Sequence, residues 1–406
     1  MKNILIKSKI LLPKAEIDKS KWATIANDSE PVRADVLKKV ENAIGDAPST
    51  LRLTLPASDT PDSRQRIAKI HDSMYRCINE NVLATSVDGF VLVERATSVG
   101  LRPSIIAALD LEQYDPAGGS LYPVRPAENA NCGRAAAFMH IRTDAPLEMS
   151  NATVLIDDPG QTVIESLYAR RRALRPLYDF DLMQDCGHIR GWAIEDANAE
   201  SLLRAFNALS ALSGNPAFLT VDGYSTLCAA KQCWENVRAT LPPRAREGHP
   251  MRYTLVEVIN ACNQAVEFEP IHRIVYGANP LKLATEFNAY LKKQGIPDVA
   301  GNDLTMVTRF ARMSYGFEKH PLPTLEAFLK EYASTHPEIR VEAVRDSDAL
   351  SKRLADAPEA IGFLFRAFKR NELFPTVRKF GTLPEKSFRM GEPTDRRFLM
   401  EVRTLE

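Results

Sequence analysis

The stretch from Ala217 to Thr240 constrains this chain more than any other. Ala217-Phe218-Leu219-Thr220-Val221 is a short apolar run of strand character, Asp222-Gly223-Tyr224-Ser225-Thr226 is a tight polar turn, and Leu227 to Thr240 has helical periodicity. A strand, a turn and a helix in that order leave the first N–H groups of the helix at a strand end. Such groups make a ready site for phosphate or carboxylate. Asp222 adds a ligand for a metal ion or a hydroxyl at the same point. The competing reading is structural: Ser225 or Thr226 caps the helix and satisfies those donors with its own oxygen. On the turn alone that reading is favoured, because caps are common and anion sites are not. Lys231 lies one to two turns into the helix and leans towards its start. It is placed either to meet an anion there or to share a solvated ion-pair face with Glu235 and Arg238.

The chain has 406 residues, enough for two or three domains, with 45% apolar and 26% charged residues. Lys plus Arg and Asp plus Glu both number 52. That balance argues against a basic field for non-specific nucleic-acid binding. No apolar run approaches membrane-spanning length, and lysines interrupt the N-terminal apolar residues as they would not in a signal peptide. The six cysteines form no C-x-x-C pair, so no zinc or dithiol motif is indicated. The expectation is a cytoplasmic protein with reduced thiols.

Strands are expected over Ile4–Leu12, Gly89–Arg95, Ser104–Asp110, Phe138–Arg142, Ala152–Ile156, Gly187–Ile194, Met251–Ile259 and Ala265–Tyr276. Helices are expected over Pro31–Ala43, Arg64–Asn81, Thr162–Leu174 and Ala197–Leu212. From about Pro280 the tail reads as mostly helical, with late strands at Gly362–Phe365 and Phe398–Val402. This mixture gives an α+β (mixed α/β) chain.

Other residues offer chemistry beside a plainer alternative. In Glu269-Pro270-Ile271-His272-Arg273, the His and Arg fall on opposite faces of a strand. His272 is suited to phosphate or proton transfer, or to a buried structural bond. His188 and Arg190 alternate onto one face, as a cationic strip or as paired structural groups. Asp157-Asp158 ends a strand before Pro159 and suits either a ligand or a turn. Glu128, between Arg125 and Arg134, is a general base or an ion-pair partner. Walker, G-x-G-x-x-G, H-E-x-x-H and G-x-S-x-G motifs are absent.

The chain resembles the family of proteins of unknown function called DUF ten-fifteen. The resemblance is carried by Gly45-Asp46-Ala47-Pro48-Ser49-Thr50-Leu51, Phe90-Val91-Leu92-Val93-Glu94-Arg95, Leu155-Ile156-Asp157-Asp158-Pro159 and Gly187-His188-Ile189-Arg190-Gly191. Asp222-Gly223, Ala230-Lys231 with Trp234-Glu235, Glu269-Pro270-Ile271-His272-Arg273 and Glu372-Leu373-Phe374-Pro375 extend it over nearly the whole chain. The family's Asp-Gly turn is similar to that of free-serine kinases on a ParB/sulfiredoxin-like core. The resemblance thus implies a central ligand-binding core at 120–279, an α+β region at 1–119 and a mainly helical region at 280–406 with terminal strands. It also implies phosphoryl transfer to serine or a similar hydroxy compound, from ATP or ADP with Mg²⁺. In that scheme Asp222 holds the hydroxyl or Mg²⁺, and Glu128 and His272 are catalytic. Gly223, Ser225, Thr226, Lys231, Arg273, His188, Arg190 and Arg134 bind phosphate or ligand.

The chain departs from the family pattern where it matters most. Tyr224-Ser225-Thr226 replaces Asn-His-Ser, so the motif histidine is gone. Near Glu128, Ala130 replaces a threonine, Gly133 a glutamate and Phe138 an arginine. Charge-assisted contacts are lost while backbone amides remain. Two functions follow as alternatives: a serine-type small-molecule phosphotransferase, or a catalytically impaired relative that binds a small anion or nucleotide. A small-molecule partner is expected and a homodimer is a reasonable prior. Nucleic acid and membrane are not expected partners.

Overall fold

Strands dominate the centre of the chain because β-branched and aromatic runs alternate there with Gly, Pro and Asp breaks. The computed structural model describes residues 3–26, 34–56, 64–118, 122–130, 132–149, 152–212, 214–297 and 299–405. The expected helix start at Pro31 and the domain edge at Ser120 lie outside them. The chain divides into two units, one of residues 1–266 with 391–406 and the other of residues 267–390.

The first unit is built on a twelve-stranded mixed sheet. Its main path runs Val124–Pro126, Phe218–Asp222, Thr153–Ile156, Tyr253–Asn260, Leu101–Asp110, Leu83–Ala96, Ser8–Pro13, Val402–Thr404, Leu147–Met149. The Leu83 and Leu101 strands form the expected antiparallel hairpin, with Val91 opposite Ile106. His188–Ile194 adds to the Leu83 strand and Arg175–Asp181 to His188–Ile194. Alternation along the strands splits the core between the two faces. One face packs Phe90, Leu92, Ile105, Val256 and Val258 with the helix Asp196–Leu212. The other packs Val91, Val93, Ile106 and Leu255 with Trp22, Trp234, Phe398 and Met400.

The last residues of the chain return to complete this unit. Val402–Thr404 inserts between the strands of Leu11 and Leu147. Trp22, fully buried, donates its indole N–H to the Met400 carbonyl at 3.0 Å. Arg403 and Arg142 both bond the buried carboxylate of Glu148, which also accepts from the Thr254 hydroxyl at 3.0 Å and the Leu255 amide at 3.2 Å. Burial alone would raise the Glu148 carboxyl, but the two guanidinium groups override it and hold the carboxyl below its ordinary range.

The second unit is a five-stranded antiparallel sheet in the order Arg312–Gly316, Val299–Val307, Ile361–Phe365, His272–Tyr276, Arg340–Val344. Four helices accompany it, Pro280–Lys293, Leu322–Thr335, Ser347–Asp356 and Leu373–Phe380. Asn279 caps the first, accepting from the Lys282 amide, and Asp346 caps the third, accepting from the Ala349 amide. Phe287 packs on Phe328 and Phe363 in the core.

Three expectations need correction. The tail is not mostly helical. Its strands at 299–307, 312–316 and 340–344 carry Gly301, Asn302 and Asp303 or alternate charges that hide the apolar signal. Phe138–Arg142 belongs to a helix, Ala135–Thr143, whose start is three alanines and whose Phe138 and Ile141 are three apart on one buried face. The cysteines are not all thiols, since Cys132 and Cys228 form a disulfide across 6.0 Å of Cα separation. The packing of the Ala135 helix against the Tyr224–Thr240 helix brings together two cysteines 96 residues apart in sequence.

Two outcomes test this packing. Glu148→Ala leaves two buried guanidinium groups without a counter-charge and is expected to lower stability by about 3–5 kcal/mol in urea unfolding. Replacing Glu148, Arg142 and Arg403 together by apolar residues should cost much less. Burial pushes the Glu401 carboxyl, bonded to the Tyr178 hydroxyl, up to about 7. The folded chain keeps this proton where the unfolded chain, near the ordinary 4.5, has released it. Glu401's share of stability therefore falls as pH rises from about 4.5 to about 7 and is level above that, and Glu401→Gln should flatten that slope in pH-dependent denaturation.

Candidate functional site

The Asp222 strand ends beside two neighbours. It runs parallel to Val124–Pro126, with Thr220 opposite Pro126, and antiparallel to Thr153–Ile156, with Asp222 opposite Thr153. The Ala127 amide donates to the Thr220 carbonyl at 2.9 Å. This pairing carries Glu128, two residues beyond Pro126, to the same strand end as Asp222. Glu128 is buried there.

The turn is tighter than either sequence reading supposed. The helix begins at Tyr224, and Gly223 is its N-cap at φ 78°, a left-handed conformation suited to glycine. Ser225 and Thr226 are therefore inside the first turn and are not the cap. Thr226 donates its hydroxyl to the Gly223 carbonyl at 2.8 Å. Asp222 Oδ1 accepts from the Gly223 amide at 2.8 Å, and Asp222 Oδ2 is paired with Arg397 from the returning C-terminal segment. The Arg397 side chain is 1% exposed. Tyr224 donates its hydroxyl to the Thr220 carbonyl at 3.2 Å. Burial first, and then the Glu128 carboxylate, holds that phenol well above its ordinary range.

Asp222, Gly223, Ser225, Thr226 and Glu128 thus share one strand end. The remaining expected residues lie elsewhere. Lys231 donates to the Leu111 carbonyl at 3.0 Å and pairs with Glu235 at 3.4 Å. Arg134 precedes the Ala135 helix, donates to the Pro56 carbonyl at 2.8 Å and stacks over Phe138. His188 and Arg190 do share a face: His188 lies 2.6 Å from both Asp179 and Asp181, and Arg190 bonds Asp179 at 2.9 Å and Glu94 at 3.0 Å. Burial opposes charge on His188, but the two carboxylates outweigh it and raise its pKa. Asp158 takes the turn role, accepting from the Val163 amide at 2.9 Å.

His272 and Arg273 belong to the second unit. Burial lowers the His272 imidazole to about 4, and its Nδ1 accepts from the Phe365 amide at 3.2 Å. Arg273 pairs with Glu326 and donates to the carbonyls of Ile271, His272 and Lys386.

Sequence reasoning missed Arg397, which is distant in sequence from the turn it serves. It also missed Glu257 and Thr153, register partners on neighbouring parallel strands, with Thr153 opposite Asp222 after a shift of register past Thr220. The signal for Glu257 was present: a charge at the centre of Leu255-Val256-Glu257-Val258-Ile259 must either face the interior or end the strand.

Mg²⁺ fits these residues poorly. Both Asp222 oxygens are engaged, and no group of three or more His, Cys, Asp or Glu side chains among the described residues could hold a metal ion. Backbone amides at a helix start beside a buried arginine suit an anionic group instead.

The model of the family described as "Protein of unknown function (DUF1015)" matches residues 12–347, and the chain belongs to that family. No curated protein matches it. Among solved structures it is similar to a free serine kinase mutant in complex with AMP, at 10% identity and a TM-score of 0.38, over 73% of this chain and 91% of that one. A conserved hypothetical protein from Pyrococcus furiosus shows 9% identity and a TM-score of 0.35, over 74% and 95%. SbnI with a C-terminal truncation, from Staphylococcus aureus, shows 11% identity and a TM-score of 0.28, over 61% and 82%. Among the described residues no helix is long and apolar enough to cross a membrane.

Asp222→Ala should destabilise the first unit by about 3 kcal/mol, since it strands a buried guanidinium. Lys231→Met, which removes an ammonium from a carbonyl, an exposed carboxylate and the face of the Tyr122 ring, should cost about 1 kcal/mol in the same denaturant titration.

Proposed function

We propose that this chain binds a small anion or the phosphates of a nucleotide at the Asp222-Gly223 turn, as a relative of small-molecule phosphotransferases with little or no turnover of its own. The observation that carries the reading is the Asp222–Arg397 pair at the start of the Tyr224 helix. It ties up the carboxylate that a kinase would direct at a hydroxyl or Mg²⁺, and it sets a guanidinium beside the first helical turn. Arg397 and the turn amides would hold the anionic group through charge-assisted bonds. A bound nucleotide would supply phosphates to those donors.

A second reading, phosphoryl transfer to serine or a similar hydroxy compound, is favoured by Glu128. This buried carboxylate stands at the same strand end as Asp222 and is suited to accept a hydroxyl proton.

Binding and turnover separate the two. The purified chain should melt at higher temperature with ADP or inorganic phosphate, without added Mg²⁺, and Arg397→Met should remove the shift. Serine-dependent nucleotide turnover should be absent or far below the roughly 1 s⁻¹ that marks the lower end of ordinary enzymes. Turnover at or above that rate, abolished by Glu128→Gln, would establish the kinase reading instead. No shift with either ligand would remove the anion site.

A further inference from the structure

The first unit holds a cavity of about 60 Å³, lined by residues of the Ala135–Thr143 helix, the Leu147–Met149 and Tyr253–Asn260 strands and the start of the Tyr224–Thr240 helix. Leu53, Leu55, Phe138, Ile141, Met149 and Leu255 belong to its apolar wall. The polar groups there are Arg142, Glu148 and the threonines 54, 226 and 254. One water needs roughly 10–15 Å³ of such space, so the cavity admits about four to six non-hydrogen atoms. It is partly open to solvent, which gives a ligand a way in.

The polar part of the wall carries an excess of positive charge. Arg142 and Arg403, both buried, share the single carboxylate of Glu148. Each Glu148 oxygen already accepts two hydrogen bonds, Oε1 from Arg403 and the Leu255 amide, Oε2 from Arg142 and the Thr254 hydroxyl. Glu148 is thus spent, and it balances only one of the two guanidinium charges. Of the two arginines, Arg142 is the one that lines the cavity, and it is 9% exposed. Its terminal nitrogens donate to Glu148 and to the Tyr253 carbonyl, while its Nε–H is buried with no hydrogen-bond partner. A buried cation short of counter-charge and a buried donor without an acceptor are both costly, and a bound anion relieves the first and can relieve the second.

We propose that this cavity binds a short-chain aliphatic monocarboxylate, with the carboxylate against Arg142 and the alkyl chain among the apolar side chains. One negative charge matches the one that is missing. An amino acid would fit worse, because its ammonium would meet apolar side chains and a carboxylate that is already fully bonded. The site rests on neither Asp222 nor Arg397, so it stands or falls apart from the anion reading of the turn.

Butyrate and butyramide test it, since they have the same number of non-hydrogen atoms and differ in charge. In isothermal titration at neutral pH the wild-type chain should bind butyrate at least about tenfold more tightly than butyramide. Arg142→Met should bring the two affinities together. Ala145→Leu, which fills the cavity from its wall and leaves the charged cluster intact, should abolish butyrate binding. No binding of butyrate by the wild type, equal affinity for butyramide, or a preference that survives Arg142→Met would overturn the proposal. Butyrate binding unchanged in Ala145→Leu would place the carboxylate elsewhere and overturn it too. The wild-type comparison and Ala145→Leu decide the matter even if Arg142→Met does not fold.

Discussion

The first unit depends on its own C-terminus coming home. Residues 391–406 are separated from the rest of the unit by the whole of the second one, yet they supply an interior strand of the large sheet. Ion pairs and hydrogen bonds fix that return at several points. Arg95 and Arg102 donate to the carbonyls of Thr394 and Asp395, Asp395 accepts from the Ser98 amide and hydroxyl, and Arg403 joins Arg142 on Glu148. Arg95, Arg102, Arg142, Glu148, Asp395 and Arg403 are buried, so their contacts are expensive to break.

The same return brings Arg397 to the Asp222 turn. Arg397 lies between Asp395, which anchors the segment on Ser98, and Phe398, over whose ring Arg95 stacks. Folding the terminus therefore delivers a guanidinium to Asp222 with no freedom left in the backbone. That guanidinium changes what the turn can do. A free aspartate at a strand end would invite a metal or a hydroxyl, whereas under the proposed function the pair with Asp222 would keep the arginine in place for an anion.

Local patterns made some of this legible. The strand, turn and helix around Asp222 were readable because an apolar run, an Asp-Gly pair and a helical period change character within a few residues. The hairpin of the Leu83 and Leu101 strands and the shared face of His188 and Arg190 followed from alternation alone. The second unit's sheet was readable only at His272–Tyr276 and Ile361–Phe365, since strands such as 299–307 carry polar residues at their exposed end and lack a continuous apolar stripe. The Ala135 helix was misread for a related reason: a short run of Phe, Ile and Arg suits strand or helix, and the alanines that decide it precede it.

The sequence by itself determined that the chain mixes strands and helices, that it belongs to its family, and that the Asp222-Gly223 turn opens a helix. Periodicity and turn chemistry act over a few residues, so they are written locally. Only the tertiary structure decided which side chains meet that turn. Glu128 arrives through a parallel strand pairing and Arg397 through a segment that lies 175 residues further along the chain. Lys231, near in sequence and well placed by helical geometry, is drawn instead to the Leu111 carbonyl. Long-range pairing has no local signature, because its energy is gained only when distant segments are desolvated together.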